Sequence, residues 1–153
     1  MATYQINVPV VTQSKTMLCW HASAQMIWFY WQNLTHRAGP MFTLVKEWND
    51  NGGVTVNDFI RLAKAVGLKA APRKKTAYSS DDLAQMLRQH GPIWCAGFWY
   101  GPPHIVVLTG VMNDIVFIND PGGGLKKTGT VSWFNQKMAQ VEGGLMYKDP
   151  LAY

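Results

Sequence analysis

The stretch HIVVLTGVMNDIVFIND, His104 to Asp120, holds two β-branched, apolar runs separated by Asn113-Asp114. Valine, isoleucine and threonine suit a pleated strand, where a stiff branched side chain packs well against its neighbours. Asparagine and aspartate accept the backbone of a tight turn, so the dipeptide predicts an antiparallel hairpin. A hairpin returns the chain to its starting edge. His104, which opens the first strand, and Asp120, which closes the second, are therefore expected side by side although sixteen positions separate them. Asn119 lies next to Asp120 and is the rival partner. Strand alternation lets only one of the two face inward with His104, and Asp120 is the favoured choice.

Outward from the hairpin, the chain divides into a helical first part and a strand-rich second part, which predicts an α+β fold in one domain spanning 1–153. PIWCAGFWY at Pro92–Tyr100, TGTVSWF at Thr128–Phe134 and GGLMYKD at Gly143–Asp149 read as further strands of an antiparallel sheet or half-barrel. Upstream, a helix from Cys19 to about Asn33 carries Trp20, Ala22, Ala24, Met26, Ile27, Trp28, Phe29 and Trp31, and so is apolar on nearly every face. Such a helix belongs in the middle of a domain. A short helix is expected over Phe42–Asn49, stopping at Gly52-Gly53. A third starts at Thr55, with a T-x-x-D cap to Asp58, and ends at Gly67. A fourth starts near Ser79 or Ser80 and stops at His90-Gly91-Pro92.

Composition excludes several classes. Hydrophobic residues make up 48% of the 153 and charged ones 15%, enough apolar surface for a folded core. The net charge of +5 comes from scattered residues, apart from Arg73-Lys74-Lys75 and Lys126-Lys127, which read as solvated loops outside any nucleic-acid motif. The densest apolar run, Met26–Trp31, falls far short of the ~20 residues needed to span a bilayer, and no charged n-region with a cleavage site opens the chain. The expectation is a protein bound to neither nucleic acid nor membrane and without a Sec signal. Two cysteines, Cys19 and Cys95, cannot supply a four-ligand zinc site and form no C-x-x-C pair, so both are read as free thiols and no metal or cofactor is expected.

A cysteine attacks as thiolate, and both a helix N-terminus and a nearby imidazolium favour that form. Cys19 stands at the first turn of the buried helix. If that turn docks against the sheet end holding His104 and Asp120, the carboxylate orients one ring nitrogen and the other meets the sulfur. Gln13, six residues before Cys19, lies where the chain turns into the helix, and its amide together with the Cys19 backbone N–H would form an oxyanion hole. Other histidines fit less well. His21 is two positions from Cys19 on the same helix, where side chains do not face each other. His90 reads as a helix C-terminal residue and His36 as a loop residue.

Gln13, C-W-x-A-S at Cys19, G-x-x-H-I-V-V at His104 and I-N-D-P at Asp120 together resemble a papain-like cysteine peptidase over Val8 to about Tyr147. The compact size, and an aspartate where papain has asparagine, are similar to the bacterial branch that includes secreted avirulence proteases and double-glycine leader peptidases. The resemblance implies a peptidase acting on a protein substrate through Cys19, His104 and Asp120 with Gln13 in the oxyanion hole. It further implies a toxin or effector delivered by a specialised secretion system into a target-cell cytosol, with a cognate immunity or inhibitor protein as partner. Trp20, Trp99 and Tyr100 bracket the proposed catalytic residues and Trp133 follows them. As cleft walls they would leave little room beyond a hydrogen, favouring a Gly-Gly site. Two alternatives use the same residues: transglutaminase or deamidase chemistry on a glutamine side chain, and a non-catalytic peptide-binding module.

Overall fold

In a computed structural model the described residues are 2–39 and 55–152. Their strands are β1 (Thr3–Gln5), β2 (Leu68–Ala70), β3 (Ile93–Gly97), β4 (His104–Met112), β5 (Ile115–Asp120), β6 (Leu125–Thr130) and β7 (Leu145–Lys148). Their helices are α1 (Cys19–Thr35), α2 (Val56–Ala65), α3 (Ser80–His90) and α4 (Val131–Lys137), with a 3-10 turn at Thr16–Leu18 leading into α1. The strands form one antiparallel sheet in the order β2-β7-β3-β4-β5-β6, and β1 pairs with the far end of β4. This is the expected α+β architecture. The helix expected at Phe42–Asn49 lies outside the described residues.

The strands β3, β4 and β7 are buried on both faces, which explains why they read as continuous apolar runs. Trp94, Ala96, Ile105, Val107 and Met146 pack with α1 and α2. Their alternate neighbours Ile93, Cys95, Val106, Leu108 and Leu145 pack with α3 and α4. Helix α1 passes through the first of these clusters with Trp20, Ala24, Met26, Ile27 and Trp28 at most 0% exposed. In the helix Trp28 Nε1 donates to Val66 O at 2.9 Å, and Trp94 Nε1 of β3 donates to the Trp20 carbonyl of the helix at 3.2 Å.

The helix starts follow their sequence signals. Thr55 accepts from Asp58 N at 3.1 Å, and Ser79 forms a reciprocal capping box with Asp82; such caps contribute ~1 kcal/mol each. One strand expectation is corrected. TGTVSWF is strand only to Thr130, whose hydroxyl accepts from Trp133 N at 2.9 Å and caps α4. A good cap overrides the β preference of Val131 and Trp133. Lys126-Lys127, expected in a loop, instead lie within β6.

The β4–β5 hairpin decides the geometry of everything that follows. Met112 pairs with Ile115 across Asn113-Asp114, and Asn113 takes the left-handed backbone the turn requires (φ 53°). Further on, the register shifts between Leu108 and Gly110. This bulge puts one extra residue in β4, so Leu108 and Val111 join the same core cluster although three positions apart. Paired residues share a face, so the shift also changes which residue of β5 shares a face with His104. Before the bulge Gly110 pairs with Phe117, a register that continued would put Asn119 on the face of His104. After it, Leu108 pairs with Ile118 and Val107 with Asn119, which gives that face to Asp120.

Candidate active site

His104 and Asp120 meet as the hairpin predicts. Nε2 of His104 lies 2.6 Å from Oδ1 of Asp120. The carboxylate is nearly enclosed, 3% exposed against 19% for the histidine side chain, so its lone pairs need partners. It has them: Gly122 N donates to Oδ1 at 2.8 Å and Lys127 Nζ donates to Oδ2 at 2.8 Å. Burial pushes the Asp120 carboxyl up, but the bonds from His104, Lys127 and Gly122 outweigh it and hold the group below its ordinary range. Asn119 points the other way and donates from Nδ2 to Val8 O at 3.0 Å.

Cys19 opens α1 and is 1% exposed. Its thiol lies close enough to His104 to favour the protonated imidazole. With Nε2 engaged by Asp120, Nδ1 is the ring nitrogen left to meet a thiol. Burial works against a charge on His104, yet the bond to Asp120 and the nearness of Cys19 prevail and raise its pKa from 6.5 to about 9. The imidazolium is therefore the dominant form at neutral pH. Cys95 has no such neighbour. It sits in the middle of β3, its Sγ donating to Ile93 O at 3.3 Å, and burial pushes its thiol far up.

Gln13 is tied to the same corner through its backbone, whose N–H donates to Pro121 O at 2.9 Å, one residue past Asp120. Its side-chain Nε2 donates to Lys15 O at 3.1 Å, which fixes the amide plane. Gln13, Met17, Phe59, Tyr100, Pro102, Pro103, His104, Asp120 and Gly122 line a mostly apolar groove of about 470 Å³. A second hollow, walled by Asn119, Thr109 and Lys127, does not include the thiol.

The aromatic walls need correction. Trp20 is 0% and Trp99 2% exposed, so both are core rather than cleft. The Trp99 indole donates back to Cys95 O at 3.2 Å. Trp133 lines no part of the groove; its ring supports Trp99 and Tyr100 at centroid distances of 5.3 and 6.1 Å. Tyr100 alone of the four borders the groove, 49% exposed and 6.3 Å from the His104 ring. The other histidines are elsewhere: His21 is held at about 4 by burial, and His90 stacks on Tyr147. Lys127, Gly122, Met17 and Phe59 were not anticipated. Alternation from Asp120, paired with Leu125, through to Lys127 would have found the lysine once β6 was known to be a strand.

Among the described residues no group of His, Cys, Asp or Glu is arranged to hold a metal ion. No helix there is long and apolar enough to cross a membrane.

A thiol presented by the first turn of a buried helix to the end of an antiparallel sheet, with an imidazole between, is the architecture of papain-like cysteine peptidases. The family of the papain-like cysteine protease AvrRpt2 matches residues 2–139, and the chain belongs to that family. It is thus a cysteine protease, a hydrolase. Among solved structures, a double glycine motif protease from an AMS/PCAT transporter, in complex with the leader peptide, aligns over 95% of this chain and 96% of its own. The TM-score is 0.57 at 19% identity, a likeness of fold. A search of the curated proteins found no match.

Proposed function

We propose that this protease is an endopeptidase in which Cys19 is the nucleophile, His104 the acid and base, Asp120 the orienting carboxylate and Gln13 an oxyanion donor. The observation that carries the reading is the His104 ring, bonded at 2.6 Å to a buried carboxylate and close to the Cys19 thiol that begins the buried helix. The reacting pair is a thiolate and an imidazolium. The sulfur attacks the scissile carbonyl carbon, and the charge that develops on oxygen falls to the Cys19 N–H at the helix start and the Gln13 amide. His104 then gives its proton to the amine nitrogen as the C–N bond breaks, leaving a thioester. Neutral His104 takes a proton from water, the hydroxide attacks the thioester, and acid and sulfur separate.

The substrate is a protein segment lying extended along the groove of Met17, Phe59, Tyr100, Pro102 and Pro103. With Trp20 and Trp99 in the core, steric narrowing rests on Tyr100, and a Gly-Gly site draws its support from the fold shared with a protease seen with a leader peptide. Glycine lets the backbone approach the thiol without a Cβ in the way. We assign the protein to secreted effectors working in a target-cell cytosol and held in check by a cognate inhibitor, on the strength of the family resemblance.

The test is to incubate wild type and Cys19→Ala with a target-cell proteome and compare new peptide termini. Termini produced by the wild type alone support the reading. A gain of about one dalton without cleavage assigns glutamine deamidation instead, and no change with either protein assigns a binding module.

A further inference from the structure

We propose that Lys127 is a positioning residue for the reaction, an ammonium that acts through Asp120 to set how firmly the carboxylate holds the proton of His104. The proposal rests on the reading of His104 and Asp120 given above. Strand pairing brings Lys127 there: Asp120 pairs with Leu125 and Ile118 with Lys127, so the lysine sits diagonally across from Asp120 on the same face. Its Nζ is 2.8 Å from Oδ2 and 4.3 Å from the centroid of the Tyr100 ring. The ammonium is thus held between the acid and the aromatic residue at the groove, and it does not line the groove itself.

The two oxygens of Asp120 divide their work. Oδ1 takes the His104 ring and the Gly122 N–H, which already fix its direction; Oδ2 takes Lys127. Since orientation is secured on the Oδ1 side, the distinct contribution of Lys127 is charge. The groups facing the imidazole are Cys19 from α1, Tyr100 from the segment before β4, Asp120 from β5 and, behind the acid, Lys127 from β6. Cys19 and Asp120 raise the proton affinity of His104, and Tyr100 stays neutral at working pH because burial and the Asp120 charge push it up to about 12. Lys127 acts in the opposite sense. An enclosed carboxylate with no counter-ion would grip the imidazolium tightly, whereas the reaction requires His104 to release its proton to the leaving amine and to be neutral for the attack of water.

The experiment compares full-length wild type, Lys127→Met and Lys127→Arg by NMR titration of the His104 imidazole and by pH profiles of cleavage. Methionine keeps an apolar stem beside Tyr100 and removes the charge. In Lys127→Met the His104 midpoint is expected to rise by about one pH unit. The alkaline limb of kcat/KM should follow it, and kcat at neutral pH should fall roughly fivefold at nearly constant KM. Lys127→Arg should restore all three. A midpoint that stays put or falls, or an arginine variant no better than methionine, overturns the proposal. If the wild type cleaves nothing, the functional reading fails while the titration still decides the effect of Lys127.

Discussion

Cys19 and Cys95 are nearly identical in exposure, 1% and 0%, and opposite in surroundings. Cys95 is flanked by Val106 on β4 and Leu145 on β7, with backbone groups of Ile93 and Leu108 as its polar neighbours, and burial there favours the neutral thiol. Cys19 begins a helix and lies close to an imidazole that is itself anchored on a carboxylate. Enclosure alone makes a thiol inert, whereas a cation beside a thiol favours the charged, nucleophilic form. The difference between the two cysteines lies in what the sheet and the helix bring to each.

The comparison is broken most directly at the sulfur. Cys19→Ala should reduce cleavage to the background rate with the thermal midpoint nearly unchanged, as one sulfur is lost at a helix start. The next largest effect is at the acid: Asp120→Asn should lower kcat roughly a hundredfold and leave measurable turnover, since an amide still orients the ring. Asn119→Ala should spare more activity than that while costing about 1–3 kcal/mol of stability, because the buried Val8 carbonyl loses its donor. Steady-state kinetics with urea unfolding separates the two; the reverse ranking in kcat would move the orienting role to Asn119.

Smaller effects sharpen the contrast. The His104 pKa is raised from 6.5 to about 9, so its contribution to stability is complete below about pH 6.5 and is lost as the pH rises through about 9. Cleavage by a thiolate–imidazolium pair should decline over the same alkaline interval, which a kcat/KM profile measures. Asp120, held below its ordinary range, contributes above about pH 4 and loses that contribution as the pH falls through its lowered value. Cys95→Ala is expected to have the least effect on chemistry: cleavage within about twofold of wild type, and a loss of about 1–2 kcal/mol from the small cavity left in β3.

The hairpin was legible because Asn113-Asp114 and two branched runs speak for it locally, and the neighbourhood of His104 and Asp120 follows from that alone. The bulge was not. LTGV at Leu108–Val111 looks regular, yet the extra residue there is what gives Asp120 rather than Asn119 the face of His104. Alternation named the right neighbour on a ladder whose regular form would have chosen the other. Trp20 and Trp99 show a second limit: adjacency in sequence to Cys19 or His104 says nothing about side-chain direction, and both rings turn into the core. Thr130 shows a third, where a single cap converts a β-rich stretch into α4. Lys127 was hidden by its reading as loop, since only a strand gives it a face to share with Asp120.

The central claim, that His104 makes Cys19 and not Cys95 the reactive thiol, is tested by alkylating the native protein at neutral pH with iodoacetamide and locating the label by peptide mass. Rapid modification confined to Cys19, much slowed in His104→Ala and joined by Cys95 only after unfolding, is the predicted result. Labelling of Cys95 in the native state, or a Cys19 rate that His104→Ala leaves unchanged, would contradict the account.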